Sequence, residues 1–400
     1  MKIAVITDHI PSKWAHSINT MKMAQGFFKL GHKVEVLVIQ RYKEAKNKLK
    51  IKDVHNFYGV NKKVKIKYFR DYSPYYFREI RYLGGFLVEA ANFLTRFLYP
   101  LKIFFDPEKK ISYYCKKEKF DLAFCRRAYK TVYYNTFNKI STILDVHDYR
   151  NAELNDIVKL NNNVYFKGIM TINNVIKEKL IKFGFAREKF AVMDNAVELN
   201  KFNQITDNKL ELRKKLNLPL NRRIILYSGA LYNNRGIDSI LNASNLLKHK
   251  DISFFFIGGD TKSIKRWKKF ISKNSILANI SFLGWKERNL VPLYLKASDI
   301  LLATYSVNCP TLDIMSPVKL IEYMASKTPS IVTKIGRNIE LCEDYTNCLF
   351  TKPDDPRDLS EKIEILLLND ELKNKLITNA YAKAKNYTFE KRCQKILELL

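Results

Sequence analysis

A chain of 400 residues, 46% apolar and 28% charged, is long enough for two domains and apolar enough to bury a core in each. That excludes a short peptide module and a disordered chain. Seventy Lys+Arg against 40 Asp+Glu leave a net charge of +30, so nucleic acid, anionic lipid and nucleotide substrates all qualify as partners.

Lys2 to Thr7 form a β-branched apolar run and predict a strand. Met21, Ala24, Phe27, Phe28 and Leu30 then recur at helical spacing, Gly31-His32 ends the helix, and Val34 to Ile39 predicts a second buried strand. A βαβ unit of this kind builds a parallel sheet covered by helices, a Rossmann-like start. The amino-terminal residues lack the basic flank, apolar centre and cleavage site of a signal peptide. Residues 41–130 hold 23 Lys+Arg and 9 Asp+Glu, a net of +14, together with many aromatics from Tyr75 to Phe105. They read as a basic, aromatic insertion. Within it Ile80, Leu83, Leu87, Ala90, Leu94 and Leu98 predict an amphipathic helix flanked by Arg78, Arg81 and Arg96. Such a helix either buries its apolar face in the domain or lies on an anionic bilayer, and the aromatics beside cations favour the bilayer. No apolar run approaches a membrane-spanning length, because Glu89, Asn92 and Arg96 interrupt the most hydrophobic stretch.

Leu122 to Phe124, Thr142 to Val146, Gly168 to Ile172 and Ala191 to Met193 predict further strands of a first α/β domain. A polar stretch, 200–209, precedes a second series at Ile224 to Ser228, Ser253 to Ile257, Ile280 to Leu283, Ile300 to Thr304 and Ser330 to Thr333. The boundary is placed near 205, giving domains 1–205 and 206–400, each a doubly wound sheet, with a cleft between them. Leu372 to Leu400 reads as helical and either caps the second domain or crosses back to the first. Six cysteines without a CxxC or zinc-type spacing indicate neither a disulfide framework nor a structural metal, which fits a reducing cytoplasm.

Three segments carry candidate chemistry. In the segment from Ser316 to Ser326, Ser316 at an N-cap and Pro317 at the first helical position predict a helix start. Lys319 and Glu322 then share a face. A lysine in the first turn opposes the helix dipole, which points to an anionic partner such as phosphate, with Glu322 one turn on to accept from ribose hydroxyls. An i,i+3 surface ion pair is the simpler account of the same two residues taken alone. In the segment from Tyr227 to Ile237, a strand ends at Gly229, and Arg235 and Gly236 open a helix, an arrangement that lets backbone amides and a cation approach a diphosphate. Glycines at strand-to-helix turns are also common for steric reasons. His147, within Asp145-Val146-His147-Asp148, sits at a predicted strand end, where it either donates to a bound sugar or satisfies a loop carbonyl. No D-x-D occurs, so the carboxylate pair that holds a divalent metal in many nucleotide-sugar enzymes is missing.

Taken in order, these segments resemble glycosyltransferase family 4, retaining enzymes of GT-B fold, along nearly the whole chain. AHSINTMKMAQGFFKLGHKVEVL is similar to the family's first helix and second strand, ILDVHD to the segment with a donor-facing histidine, and MDNAVEL to an interdomain turn. YSGALYNNRGI resembles the phosphate loop, and SPVKLIEYMASKTPSIV, the most specific match, resembles the nucleotide-binding helix. The resemblance implies that Glu322 binds the ribose, that Lys319 and Arg235 neutralise the diphosphate with Gly229, Ser316 and Pro317 beside it, and that His147 contacts the donor sugar. Asp313 lies one position from the family's first glutamate and is a candidate donor-sugar contact. Ala230 replaces the loop's arginine, Ala196 a turn glycine and Lys327 a helix-ending glycine. Lys13-Trp14-Ala15-His16 replaces a glycine pair in a loop that meets the acceptor, making Lys13 and His16 candidate acceptor residues.

The function implied is transfer of a sugar from a nucleotide diphosphate to a glycan or lipid-linked acceptor in surface polysaccharide or glycolipid assembly. No metal or other cofactor is expected, and the protein is expected to be cytoplasmic and peripheral on the inner membrane face. Two other readings remain: a nucleotide-sugar epimerase of the same fold, for which no acid/base pair is found near the motifs, and a basic nucleic-acid-binding protein, for which no RRM, KH or helix-turn-helix signature is present. Nucleic acid is therefore not expected as a partner.

Overall fold

The structure is a computed structural model, and it describes residues 1–12, 14–40, 51–70, 106–149 and 152–400. The chain divides into two compact units, one formed by Met1–Asp194 with Phe389–Leu400, the other by Asn195–Thr388. The sequence expectation placed the boundary near 205. It falls earlier because Asn195 already belongs to the second unit: its backbone N–H donates to Ser316 Oγ at 2.7 Å and its side-chain amide to Ser316 O at 3.1 Å.

In the first unit the described strands are β1 (Lys2–Asp8), β2 (Lys33–Gln40), β3 (Lys65–Arg70), β4 (Leu122–Arg126), β5 (Ser141–Val146), β6 (Phe166–Thr171) and β7 (Phe190–Val192). They form one parallel sheet in the order β3-β2-β1-β4-β5-β6-β7. Helix α1 (Ala15–Lys29) follows β1 and packs against it. The strand β3 was not expected, and it makes part of 41–130 a piece of the sheet rather than an insertion. Its sequence, KIKYFR, alternates cations with apolar residues, the pattern of a solvated edge strand, and a strongly basic neighbourhood masks that signal. The expected amphipathic helix, with Arg78, Arg81 and Arg96, lies outside the described residues.

The second unit contains β8 (Arg223–Ser228), β9 (Ile252–Ile257), β10 (Asn279–Gly284), β11 (Ile300–Ala303), β12 (Ser330–Thr333) and β13 (Leu349–Thr351), in the order β10-β9-β8-β11-β12-β13 and all parallel. The three-residue β13 was also unexpected. Helices α2 (Ile237–Leu246), α3 (Val318–Ser326) and α4 (Asp370–Ala384) belong to this unit. Its central strands β8, β9, β11 and β12 are buried on both faces, whereas the edge strand β10 is only partly buried. Ile224 and Leu226 enter one core with Leu301, Leu320 and Met324, whereas Ile225 and Tyr227 enter the other with Ile240, Phe254 and Ile363. This two-residue alternation between apolar layers explains why the strands read as unbroken hydrophobic runs. Each such side chain contributes roughly 1.5–3 kcal/mol through its removal from water.

The expected continuous helix to Leu400 is interrupted. After α4 the chain extends so that Tyr387 O accepts from Val197 N at 2.8 Å, and helix α5 (Phe389–Leu397) then joins the first unit. It lies on α1 at Gly26, where an added Cβ would come within 2.8 Å of Cys393 Sγ. All six cysteines are free and buried. No helix among the described residues is long and apolar enough to cross a membrane.

Candidate functional site

In the second sheet the strand order reverses between β8 and β11, the place where open α/β sheets bind ligands beyond their strand ends. Gly229 follows β8 directly, with φ +141. An added Cβ there would lie 3.2 Å from Lys319 Nζ, and a Cβ on Gly258 would meet Gly229 O at 2.3 Å. Two glycines thus let two strand ends and a lysine converge. Gly236, at φ +64, turns the loop into α2, and Thr304 Oγ1 donates to Arg235 O at 2.8 Å.

Two cations meet at this point on aromatic faces. Lys319 Nζ stands 4.0 Å from the centroid of the Tyr227 ring and 5.2 Å from that of Tyr305, over which the Arg235 guanidinium also sits at 5.0 Å. Burial holds the Tyr305 phenol up at about 12 and that of Tyr227 well above its ordinary value, so neither ring supplies a phenolate. Lys319 Nζ is shielded from water and has no hydrogen-bond acceptor among the described residues. Burial, reinforced by the charge of Arg235, pushes its ammonium well below the ordinary lysine range. Glu322 is not its ion-pair partner. The nearest cation to Glu322 is Arg288, whose Nη2 lies 4.0 Å from Oε1, and burial raises the Glu322 carboxyl despite that neighbour.

The local start of α3 differs from the sequence expectation. Ser316 does not cap the helix, since its hydroxyl accepts from Asn195 N instead. Pro317 occupies the cap position with φ −77 and ψ 88, so the helix begins one residue later, at Val318, without a side-chain cap. Of its first-turn amides, that of Leu320 donates to Pro317 O at 2.9 Å, and those of Val318 and Lys319 face outward from the helix end. Asp313 is exposed in the preceding loop. Lys327 ends α3 in the left-handed conformation, φ 57, at the position where the resemblance would place glycine.

His147 belongs to the first unit and to a buried network that the motifs did not show. Arg126 Nη1 reaches Asp145 Oδ2 and Asn19 Oδ1, each at 3.0 Å, and Arg126 Nη2 lies 3.2 Å from His147 Nδ1. His147 Nε2 lies 3.1 Å from Asp145 Oδ2, and Arg392 of α5 meets Asp145 Oδ1 at 3.1 Å. With Arg126 donating to Nδ1, the ring carries its proton on Nε2 and donates to Asp145. Burial and the Arg126 charge hold His147 down at about 4. Burial favours the neutral acid at Asp145, yet His147, Arg126 and Arg392 outweigh it and keep the carboxylate ionised. Arg126 had a sequence signal, a cation ending the fully buried strand β4; Arg392, 247 residues from its partner, had none.

His16 lies near this network, its Nε2 4.0 Å from Asp8 Oδ1, whereas Lys13 is outside the described residues. Asp8, His9 and His16 bring three metal-type donor atoms within 4.8 Å of one another. The set suits a cation poorly, because Arg127 Nε is already 3.5 Å from Asp8 Oδ2 and Arg126 adds a second positive charge.

Residues 208–383 match the model of the family described as Glycosyl transferases group 1. A glycosyltransferase of Methanocaldococcus jannaschii, itself uncharacterized, is 31% identical over 167 residues, 42% of this chain and 44% of the relative. A putative colanic acid biosynthesis glycosyl transferase of Escherichia coli is 27% identical over 184 residues, 44% of this chain and 43% of the relative. The chain thus matches less than half the length of these curated relatives. Over its whole length it superposes on Anabaena HepE, solved with UDP, at a TM-score of 0.72 and 15% identity, covering 99% of that chain. The fold is therefore GT-B, with two Rossmann-like α/β units.

Proposed function

We propose that the protein is a retaining, metal-independent glycosyltransferase that moves a sugar from a nucleotide diphosphate to a glycan or lipid-linked acceptor in surface polysaccharide or glycolipid assembly. The observation that carries this reading is Lys319, a buried ammonium with no acceptor, beside Arg235 and against the Cα of Gly229. A buried cation without a partner is costly unless a ligand supplies the counter-charge. A diphosphate does so, with Gly229 giving its backbone room, the open end of α3 adding amides, and Glu322 accepting from ribose hydroxyls.

As the anomeric bond breaks, negative charge grows on the bridging oxygen of the departing diphosphate. Lys319 and Arg235 stabilise that charge most where it is greatest, in the transition state. The acceptor oxygen bonds to the anomeric carbon from the same face, and its proton passes to the leaving diphosphate, so no protein nucleophile is needed. His147 contacts the donor sugar on this reading by exchanging one of its two bonds to Arg126 and Asp145, and Asp313 provides a further sugar contact. The basic aromatic segment, 41–130, holds the protein at an anionic membrane on the cytoplasmic side, an attachment that weakens as salt rises.

The test is thermal unfolding with UDP, GDP, ADP and CMP, for wild type and Glu322→Ala. A rise of several degrees with one nucleotide, lost in the variant, is expected. No rise with any of the four would sink the proposal.

A further inference from the structure

The loop from Gly229 to Arg235, between β8 and α2, is fastened through its carbonyls. Ala230 O accepts from the Tyr227 hydroxyl at 3.0 Å, Tyr232 O from Arg235 N at 3.1 Å, Asn234 O from Ser306 N at 3.2 Å and Arg235 O from Thr304 Oγ1 at 2.8 Å. Leu231 O is held from farther along the chain. Trp267 Nε1 donates to it at 2.9 Å and Arg266 Nη2 at 2.6 Å, both from the helix Thr261–Lys273. A capping box between Asp260 and Ser263 fixes the start of that helix, and a Cβ on Gly259, just before it, would lie 2.6 Å from Leu231 Cδ1. The Trp267 indole is buried, with the Arg266 guanidinium 5.3 Å from its centroid. Neither residue belongs to a motif that the sequence displayed.

The amides of the same loop are in the opposite condition. Among the described residues, the N–H groups of Ala230, Leu231 and Tyr232 have no acceptor, and Leu231 is buried. Buried amides without a partner are rare, because each costs the free energy of a lost hydrogen bond. A peptide unit is planar and trans, so its C=O and the following N–H point in opposite directions. Fastening Leu231 O to Trp267 and Arg266 therefore turns the Tyr232 N–H away from their helix, and fastening Ala230 O to Tyr227 turns the Leu231 N–H away from that hydroxyl. The result is a backbone segment with its negative ends covered and its positive ends free. It begins at Gly229, where an added Cβ would stand 3.2 Å from Lys319 Nζ, the ammonium that also lacks an acceptor, and it ends at Arg235.

We propose that Trp267 and Arg266 are positioning residues for the diphosphate site: by holding Leu231 O they present the free amides of the loop, together with Arg235 and Lys319, to the phosphate oxygens of the donor. The inference rests on the transferase reading above and adds to it two side chains that do not themselves touch the donor. Trp267→Phe keeps an apolar ring in the core and removes one donor to the carbonyl; Arg266→Met removes the other. Either donor alone still holds Leu231 O, so the two substitutions are coupled.

The test is calorimetric titration of the full chain with UDP, GDP and ADP, each beside its own nucleoside, uridine, guanosine or adenosine. Wild type is expected to bind one of the diphosphates. Trp267→Phe and Arg266→Met should each weaken that binding about threefold, and the double variant about thirtyfold, more than the product of the two. The matching nucleoside carries no phosphate and should keep its affinity within about twofold in all three variants, a split that general loosening of the unit would not produce. Lys269→Gln, which removes an exposed charge from the same helix, should bind the diphosphate as wild type does. Loss of diphosphate and nucleoside affinity together, or a double variant that binds the diphosphate like wild type, overturns the inference and leaves the transferase reading standing. A wild type that binds none of the three diphosphates overturns that reading and the inference with it.

Discussion

Arg392 Nη2 lies 3.1 Å from Asp145 Oδ1, and both side chains are completely buried although 247 residues separate them. The same guanidinium donates to the carbonyls of Met193 and Asp194, so one residue of α5 fixes the end of β5 and the last residues of the first unit's main segment.

Breaking that pair leaves Asp145 with a reduced set of cations and two carbonyls without a donor. Arg392→Leu is therefore expected to cost about 3–5 kcal/mol, the range for a buried pair that loses one member. Urea unfolding measures it, and a loss below about 1 kcal/mol would show that Arg126 and His147 suffice to hold the carboxylate.

Lys319→Met removes an ammonium that has no acceptor and stands beside another cation. The variant is expected to be more stable than wild type without ligand, by roughly 1–2 kcal/mol, and to lose most of the thermal shift given by the preferred nucleotide. Stability unchanged or lowered in the unliganded variant would mean that the two tyrosine faces already satisfy the charge.

Gly258→Ala and Gly31→Ala separate crowding from backbone strain. A Cβ at Gly258, φ +104, would lie 2.3 Å from Gly229 O, whereas at Gly31, φ +87, it meets nothing within 4 Å. The second substitution is expected to cost about 1 kcal/mol from the positive φ alone. The first should exceed about 2 kcal/mol and displace Gly229 from Lys319, abolishing the nucleotide shift. Equal costs in denaturant titration would contradict the close approach of the two loops.

His147 and His16 make stability acid-sensitive. Their folded values, about 4 and about 3, lie below the ordinary value of 6.5, so below that pH the unfolded chain binds protons that the folded one refuses. Their contribution is fully present above 6.5 and is lost as pH falls towards 4, at up to roughly 1.4 kcal/mol per pH unit for each ring. Unfolding curves at pH 7, 6 and 5 should show this decline, and His147→Gln should halve its slope. A flat profile between 7 and 5 would be incompatible with two neutral buried imidazoles.

The α/β character was legible because both sheets are parallel and covered on both faces, which writes each central strand as an apolar run such as Ile224 to Ser228. The edge strands β3 and β13 escaped because one side of an edge is solvated or the strand is too short to show a pattern. At the candidate site, Gly229, Arg235 and Lys319 lie together because each is set by the end of one strand or the first turn of one helix, a juxtaposition that the resemblance implied and that their separate motifs did not. Ser316 was misread because its hydroxyl had two suitors, the helix amides and Asn195 N, and only the three-dimensional structure brings the second within 2.7 Å. Arg392 had no local pattern at all, being placed by a contact across 247 residues of chain.

The return of Phe389–Leu400 to the first unit also sets an order of events during synthesis. The ribosome releases Asp194 long before it reaches Arg392, at 5–20 residues per second an interval of roughly 10–40 s. Throughout that time the Asp145 carboxylate and the α1 surface at Gly26 await their covering helix, while the whole second unit emerges and folds. Of these two units, the one whose synthesis begins earlier is thus the one completed later.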